Sequence, residues 1–249
     1  MKNSAQRFIK HSGFTIYYDN EESMQQTLDE VFNDGYYLFE SAEDSPLIID
    51  AGSNIGIATL FFKKYHPRAR IVCFEPDPNA FSCLKKNVAM NELKDVTLIN
   101  AALSKVEGTI DFYGQIHMDH PDSRGNSIID SWGIQREICN QIQVKSVKLS
   151  SYINGPIDFL KLDIEGAEQQ VLEEIGNKLD LIKAMTLEFH ETEMMRNINE
   201  LTEIKTLLLR HQFHLDIHSK DLANILPEST QAWASKAKPF LHTIKAVKT

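Results

Sequence analysis

Apolar positions along the chain follow two alternating patterns. Leu47-Ile48-Ile49 and Ile71-Val72-Cys73-Phe74 are short continuous runs, as expected of parallel strands covered on both faces. Between and after them the spacing turns helical, with Ile57, Ala58, Phe61 and Phe62 behind one turn and Phe81, Leu84 and Val88 behind Asp77-Pro78. That aspartate-proline pair reads as an N-cap and a first-turn proline. Val96 to Leu103 predicts a third strand, Ile157 to Leu162 another, then a helix with Val171, Leu172, Ile175 and Leu179 inward, and a strand over Ala184 to His190. A helix with Leu201, Ile204, Leu207 and Leu208 leads to alternating Phe213, Leu215 and Ile217 and to Phe240–Val247, expected as an antiparallel pair at the sheet edge. Ahead of all this, Phe14 to Tyr18 predicts a short strand and Glu21 to Asn33 a helix carrying Met24, Leu28, Val31 and Phe32.

The regular alternation breaks between about residues 104 and 150. Thr109–Tyr113 and Val144–Leu149 alternate like half-buried strands and are expected to pair. The loop between them, with His117, His120, Pro121, Asp122, Arg124, Gly125, Asn126, Ser127 and Trp132, reads as a substrate-contacting segment. Its two histidines lack partners at metal-ligand spacing and are expected to be exposed. The pattern is thus an α/β domain over residues 46–249 with a loop insertion at about 104–150, preceded by a preface over 1–45.

Composition narrows the function. With 249 residues and 42% hydrophobic content, one α/β domain with a substantial core is the simplest reading. A net charge of −9 without a Lys/Arg run argues against nucleic acid as the partner. Cys73, Cys83 and Cys139 have neither disulfide-framework nor zinc spacing. No stretch resembles a signal peptide or a membrane span, so a soluble, cytoplasmic protein without a membrane partner is expected.

The chemistry gathers at strand ends. After Ile49-Asp50 the chain runs through Ala51-Gly52-Ser53-Asn54-Ile55-Gly56, a small-residue turn in which Gly52 and Gly56 let backbone approach a ligand and Ser53 or Asn54 can cap the next helix. The dinucleotide fingerprint needs a further glycine where Ser53-Asn54 stands. Glu75, ending the second strand, is placed to accept hydrogen bonds from two ribose hydroxyls, a role that NAD and S-adenosylmethionine share. Asp50 favours the second, because a carboxylate suits its cationic methionine portion and repels a pyrophosphate. Asn100, Ala101 and Ala102 are candidates to meet adenine, with plain strand termination as the alternative. Tyr36-Tyr37 could cover a cofactor, although core packing is the simpler role.

Downstream, Lys161, Asp163 and Glu165 fall on alternate positions of one strand, and Glu188 and His190 share a face of the next. Asp163 or His190 is the candidate base, with Lys161 or Glu165 to orient it or the substrate. Asp163, Glu188 and His190 could instead hold a divalent ion, but a hydrogen-bonded cluster is expected and no metal is assigned.

In combination, Ile49-Asp50-Ala51-Gly52-Ser53-Asn54-Ile55-Gly56, Phe74-Glu75-Pro76-Asp77-Pro78, Asn100-Ala101-Ala102-Leu103-Ser104 and Ile157-Asp158-Phe159-Leu160-Lys161-Leu162-Asp163-Ile164-Glu165-Gly166-Ala167-Glu168 resemble the FkbM-type methyltransferases over roughly residues 30–191. The resemblance implies a class I methyltransferase fold, Rossmann-like, with a seven-stranded mostly parallel sheet and helices on both faces. It implies S-adenosylmethionine as cofactor, held by Asp50, Gly52, Ser53, Asn54, Gly56, Glu75, Pro76, Asn100, Ala101 and Ala102. It also implies a small-molecule acceptor, usually a hydroxyl of a sugar, polyketide or other metabolite. Gly125-Asn126-Ser127 is similar to a Gly-Ser-Ser segment of the family but departs at Asn126. An amine acceptor, a nicotinamide oxidoreductase and a non-catalytic cofactor-binding domain are the rival readings.

Overall fold

A computed structural model describes residues 7–114, 124–130, 132, 140–223 and 231–248. His117, His120, Pro121, Asp122 and Cys139 lie outside the described residues. In chain order the elements are β1 (Arg7–His11), β2 (Phe14–Tyr18), α1 (Glu21–Leu28), β3 (Leu47–Ala51), α2 (Ile57–Tyr65), β4 (Arg70–Phe74), α3 (Pro78–Met90), β5 (Val96–Ile99), β6 (Ala102–Leu103), β7 (Gly108–Gly114) and β8 (Asn140–Val147). There follow β9 (Ile157–Leu162), α4 (Glu168–Ile175), β10 (Ile182–Glu191), α5 (Leu201–Arg210), β11 (Phe213–Asp221), α6 (Gln231–Ala237) and β12 (Phe240–Lys248).

Seven strands form one sheet in the order β11-β12-β10-β9-β3-β4-β5. β10, β9, β3, β4 and β5 run parallel, and β12 enters antiparallel between β10 and β11. Successive residues of β3 supply opposite faces, as a pleated strand must. Ile49 packs with Val171 and Leu172 of α4 and Ile204 and Leu208 of α5, whereas Ile48 packs with Phe61 and Phe62 of α2 and Leu84 of α3. The expected α/β sheet with helices on both faces, and with an antiparallel C-terminal pair at its edge, is therefore the observed one. Among the described residues no helix is long and apolar enough to cross a membrane.

The preface packs on this sheet. Ile16, Met24, Leu28, Val31 and Tyr37 join the cluster around Ile48, and β2 pairs with β1, a strand that the hydrophobic pattern did not announce. α1 starts at Asn20, whose Oδ1 accepts from Ser23 N at 2.9 Å, and the predicted helix continues as a π-helical turn over Asp29–Asn33. Asn87 of α3 ties the preface to the next motif: its amide donates to Tyr17 O at 2.9 Å and to Ile55 O at 2.7 Å.

The expected third strand is two strands. Val96–Ile99 pairs with β4, while Ala102–Leu103 leaves the sheet to pair with β8, which is also the antiparallel partner of β7 as anticipated. Asn100 makes the bend, its Nδ2 donating to Glu75 O at 2.7 Å and Pro76 O at 3.2 Å. A side chain that satisfies two backbone carbonyls fixes the chain where the ladder ends.

Candidate active site

The carboxyl ends of β3, β4, β9 and β10 lie side by side at the point where the strand order reverses about β3, the position at which open α/β sheets hold ligands. Pairing in register sets Asp50 opposite Lys161 and Ala51 opposite Leu162, so the two informative stretches of sequence meet. Gly52 has φ +75°, and a Cβ there would stand 1.7 Å from the Asp163 carbonyl oxygen. Gly56 has φ +92° and would bring a Cβ to 2.6 Å from Leu84 Cδ1. Both glycines are thus required by the protein's own packing, a different reason from the ligand approach that the sequence suggested. Neither Ser53 nor Asn54 caps α2, because Gly56 is its N-cap residue and makes no side-chain bond. Ser53 Oγ donates to Asp50 O at 2.6 Å and Asn54 Oδ1 accepts from Ile55 N at 2.8 Å, closing the turn on itself.

Glu75 is buried at the end of β4. Its Oε2 accepts from Asn54 N and its Oε1 from Asp77 N, both at 2.7 Å, so one carboxylate joins the turn after β3 to the start of α3. Burial pushes it up to about 8 against those two bonds. The neighbouring candidates also make contacts within the protein. Asn100 spends its amide on backbone, Ala101 is fully buried in the main core, and Ala102 packs with Phe112 and Val144. Pro76, half-buried, offers its carbonyl to Asn100.

Asp50 does not face an open cleft. It is fully buried, Thr59 Oγ1 donates to its Oδ2 at 2.6 Å, and Lys161 Nζ stands 3.8 Å from its Oδ1. Its charge is thus balanced within the protein. Burial raises its carboxyl, and Lys161 works against that rise. Lys161 itself donates to Gly52 O at 2.6 Å and to Asp163 Oδ2 at 3.2 Å, with the Tyr37 ring centroid 5.4 Å away. Burial alone would lower the lysine, but Asp163 and Asp50 outweigh it and hold Lys161 charged. It is a clamp between two strand ends.

β9 stops at Leu162, so Asp163 and Glu165 sit in the turn beyond the strand and not on alternate strand positions. Glu165 is left-handed at φ 56° and Gly166 follows at φ 94°. This turn swings Glu165 towards β10, where its Oε2 lies 3.4 Å from His190 Nε2. His190 Nδ1 lies 3.1 Å from Glu168 Oε1. Burial would lower the imidazole, yet Glu165 and Glu168 raise it to about 10, making it a cation at neutral pH. His190 therefore arrives with its proton already held between two carboxylates, which suits positioning better than proton abstraction.

Glu168 is the residue that sequence reasoning missed. Fully buried, it accepts from Gly166 N at 2.9 Å and from Asn199 Nδ2 at 2.8 Å as well as facing His190. Its signal was available: it stands three, four and seven residues before Val171, Leu172 and Ile175, on the apolar stripe of α4, where a carboxylate demands partners. Glu188 shares a strand face with His190 but turns to Tyr37, whose hydroxyl donates to it at 2.5 Å. Burial and then Asp163 push Glu188 up to about 8. Tyr37 is buried in the core cluster and Tyr36 bonds Thr243, in keeping with packing roles.

The donor atoms that converge are those of Asp163, Glu165 and His190, within 4.8 Å of one another, rather than the trio with Glu188. Within this cluster the Asp163 and Glu165 side chains are 23% and 21% accessible, against 5% for Lys161 and 7% for His190, so only the two carboxylates can be reached from outside. Residues 125–127 bond to Glu165 and to Asp77. Gly125 N donates to Glu165 Oε1 at 3.1 Å, Ser127 Oγ to Glu165 O at 2.5 Å, and Asn126 Nδ2 to Asp77 Oδ2 at 3.2 Å.

Comparison with known proteins finds the Methyltransferase FkbM domain matching residues 50–215. "Methyltransferase 1" of Beauveria bassiana (strain ARSEF 2860) is 26% identical over 210 residues, spanning 78% of this chain and 82% of the relative. "2-O-methyltransferase NoeI" of Sinorhizobium fredii (strain NBRC 101917 / NGR234) is 29% identical over 188 residues, 66% of this chain and 71% of the relative. The solved structure of methyltransferase FkbM from Methylobacillus flagellatus KT shares the fold, with a TM-score of 0.50 at 14% identity over 84% of this chain and 46% of that one.

Proposed function

The chain belongs to the FkbM family of S-adenosylmethionine-dependent methyltransferases, and from that premise we propose that it methylates a hydroxyl oxygen of a small metabolite, with Asp163 as the base. One observation carries the assignment: Asp163 is a reachable carboxylate, pinned by Lys161 against the Gly52 backbone at the meeting of β3 and β9. A relative named for 2-O-methyl transfer supports oxygen as the acceptor atom.

The cofactor brings a methyl group on a sulfonium, an electrophile that needs only an aligned nucleophile. Glu75 fits a ribose diol, since its buried carboxylate keeps unused lone pairs that two hydroxyl donors would satisfy. Alignment of the acceptor in a water-poor cleft can supply up to about 7–11 kcal/mol of the barrier. Asp163 removes the proton that an alcohol must lose, and Lys161 fixes its carboxylate. Glu165 and His190 hold the acceptor's surroundings. Incubating the protein with methyl-labelled S-adenosylmethionine and extracts of its source cells tests the reading. A labelled methyl ether is expected; a labelled amine or carbon product would overturn it.

Glu75→Ala should weaken S-adenosylmethionine binding by about 2 kcal/mol without unfolding the domain. The pH dependence has a definite sign. Glu75, raised to about 8 in the free protein, must be ionised to accept from two hydroxyls, so cofactor binding releases a proton. Affinity should rise with pH up to about 8 and then level off, and Glu75→Gln should flatten the profile. Calorimetry in buffers of different ionisation heat measures the released proton directly; no release would detach Glu75 from the cofactor.

Because the imidazolium of His190 already balances the reachable carboxylates, dialysis against a chelator should leave turnover within about twofold. A large loss restored by magnesium or manganese would instead make Asp163, Glu165 and His190 metal ligands.

A further inference from the structure

Resting on the methyltransferase reading above, we infer that Glu168 and Asn199 are positioning residues for the transfer: out of the acceptor's reach, they hold the turn that presents Asp163 and Glu165 and lock His190 against it. Both side chains are fully buried. Burying a carboxylate and an amide is costly unless their polar atoms are matched, so the partners they take show what they hold.

The partners of Glu168 surround a strained residue. Its Oε1 accepts from Ile164 N at 3.3 Å and from Gly166 N at 2.9 Å, the amides on either side of Glu165. Glu165 stands at φ 56°, in the left-handed region that a side chain disfavours. Such a conformation lasts only where the surrounding structure fixes it, and here it is what turns Glu165 towards His190. The same Glu168 oxygen meets His190 Nδ1 at 3.1 Å, which leaves the other ring nitrogen for Glu165 Oε2 at 3.4 Å. Asp163, one residue before Ile164, is carried by the same turn.

Asn199 fixes Glu168 in its turn. Its Nδ2 donates to Glu168 Oε2 at 2.8 Å and to His190 O at 2.6 Å, and its Oδ1 accepts from Gln169 N at 2.9 Å. These partners leave the amide one orientation, because a flip would set its oxygen against a carboxylate and a carbonyl and its NH2 against an N–H. Gln169 returns the bond, its Oε1 accepting from Glu200 N at 2.7 Å. The first turn of α4, the end of β10 and the approach to α5 are thus tied to one carboxylate. Four donors reach its two oxygens, the full complement of an ionised carboxylate.

The pair can be inverted. In Glu168→Gln the side-chain oxygen can still accept from Gly166 N, but the new NH2 meets the Asn199 NH2, donor to donor. In Asn199→Asp two carboxylates face each other. Combining the substitutions exchanges donor and acceptor, keeps one carboxylate and the bond from Gln169 N, and loses only the bond to His190 O. The full chain is assayed with saturating labelled S-adenosylmethionine and a dilution series of source-cell extract as acceptor, beside calorimetric affinity for S-adenosylhomocysteine. Each single variant should lower the maximal rate by about tenfold or more, with the half-saturating amount of extract and the S-adenosylhomocysteine affinity within about threefold. The double variant should run at least about threefold faster than either single one.

NMR of 15N-labelled histidine, with His190 assigned by its loss in His190→Gln, gives a readout that needs no acceptor. Glu165, Glu168 and Asp163 face this ring and hold it charged up to about 10, with Glu188 and His242 also in electrostatic reach. Its titration should move to lower pH in Glu168→Gln. An unchanged titration, an unchanged maximal rate in either single variant, equal losses of rate and cofactor affinity, or no recovery in the double variant would overturn the inference. Where a single variant fails to fold, the double variant must fold and transfer methyl, and its failure is equally decisive. An active wild type with unaffected variants sinks the positioning role alone, whereas a wild type that transfers no label to the extract sinks it together with the methyltransferase reading.

Discussion

Asp163→Asn should cut turnover by about a hundredfold or more while cofactor affinity changes only a few-fold. Asparagine preserves the shape of the side chain and an oxygen that can still accept from Lys161 Nζ, now at 3.2 Å. It cannot take a proton at neutral pH, so an alcohol acceptor would meet the methyl group with its proton still attached. The rival role for Asp163 is electrostatic, balancing the sulfonium charge. In that case the substitution would weaken binding of S-adenosylmethionine and leave its uncharged demethylated product nearly unaffected. Lys161 argues for the first role, since its ammonium already faces Asp163 and Asp50 and takes up much of their charge. Single-turnover rates at saturating cofactor, measured beside the affinities for cofactor and product, distinguish the two. Near-normal transfer would end the general-base assignment.

Gly52→Ala should be the most destabilising single-methyl change in the site. The residue sits at φ +75°, where a Cβ adds strain of about 1–2 kcal/mol. That Cβ would also lie 1.7 Å from the Asp163 carbonyl oxygen and 2.9 Å from its carbon, both backbone atoms that cannot swing aside. Overpacking of this kind adds about 1–3 kcal/mol. A total of about 3 kcal/mol or more corresponds to roughly 6–12 °C in Tm for a domain of this size. Because the obstructing atom belongs to Asp163, any relaxation that admits the methyl moves the base. Cofactor binding and transfer should both suffer. Gly155→Ala, where nothing stands within 4 Å, serves as the control and should leave Tm and activity unchanged. Equal melting temperatures for the two variants would show that β9 yields at no cost.

The sheet was legible because buried parallel strands are short apolar runs and their crossover helices carry an unbroken inward stripe; Leu47–Ile49 and the helix from Ile57 show this most plainly. The split after Ile99 was not, since Ala102 and Leu103 are as apolar as the strand before them and only the Asn100 amide, bonded to residues distant in sequence, diverts the chain. Candidate site residues stand out where a charge interrupts an apolar run, as at Lys161, Asp163 and His190. Their partners were harder to assign. Alternation places Asp163 and Glu165 on one strand face, but the left-handed turn at Glu165 rearranges them in space, and spacing alone cannot tell that Glu188 turns to Tyr37 while His190 meets Glu165. The surroundings of Asp50 were hidden for a similar reason, because its neutralising cation lies across a strand pair and not nearby in sequence.

The Asn87 amide gives the preface a weight that family boundaries hide. The matched domain opens at residue 50, yet Tyr17 and the Ile55 carbonyl beside the cofactor turn hang from the same side chain. A recombinant fragment cut at that boundary would lose Ile16, Met24, Leu28, Val31, Tyr37 and Ile48 together, uncovering Phe61, Phe62 and Leu84. It would leave a greasy flank open to water, an invitation to clump in the cell before any assay could begin.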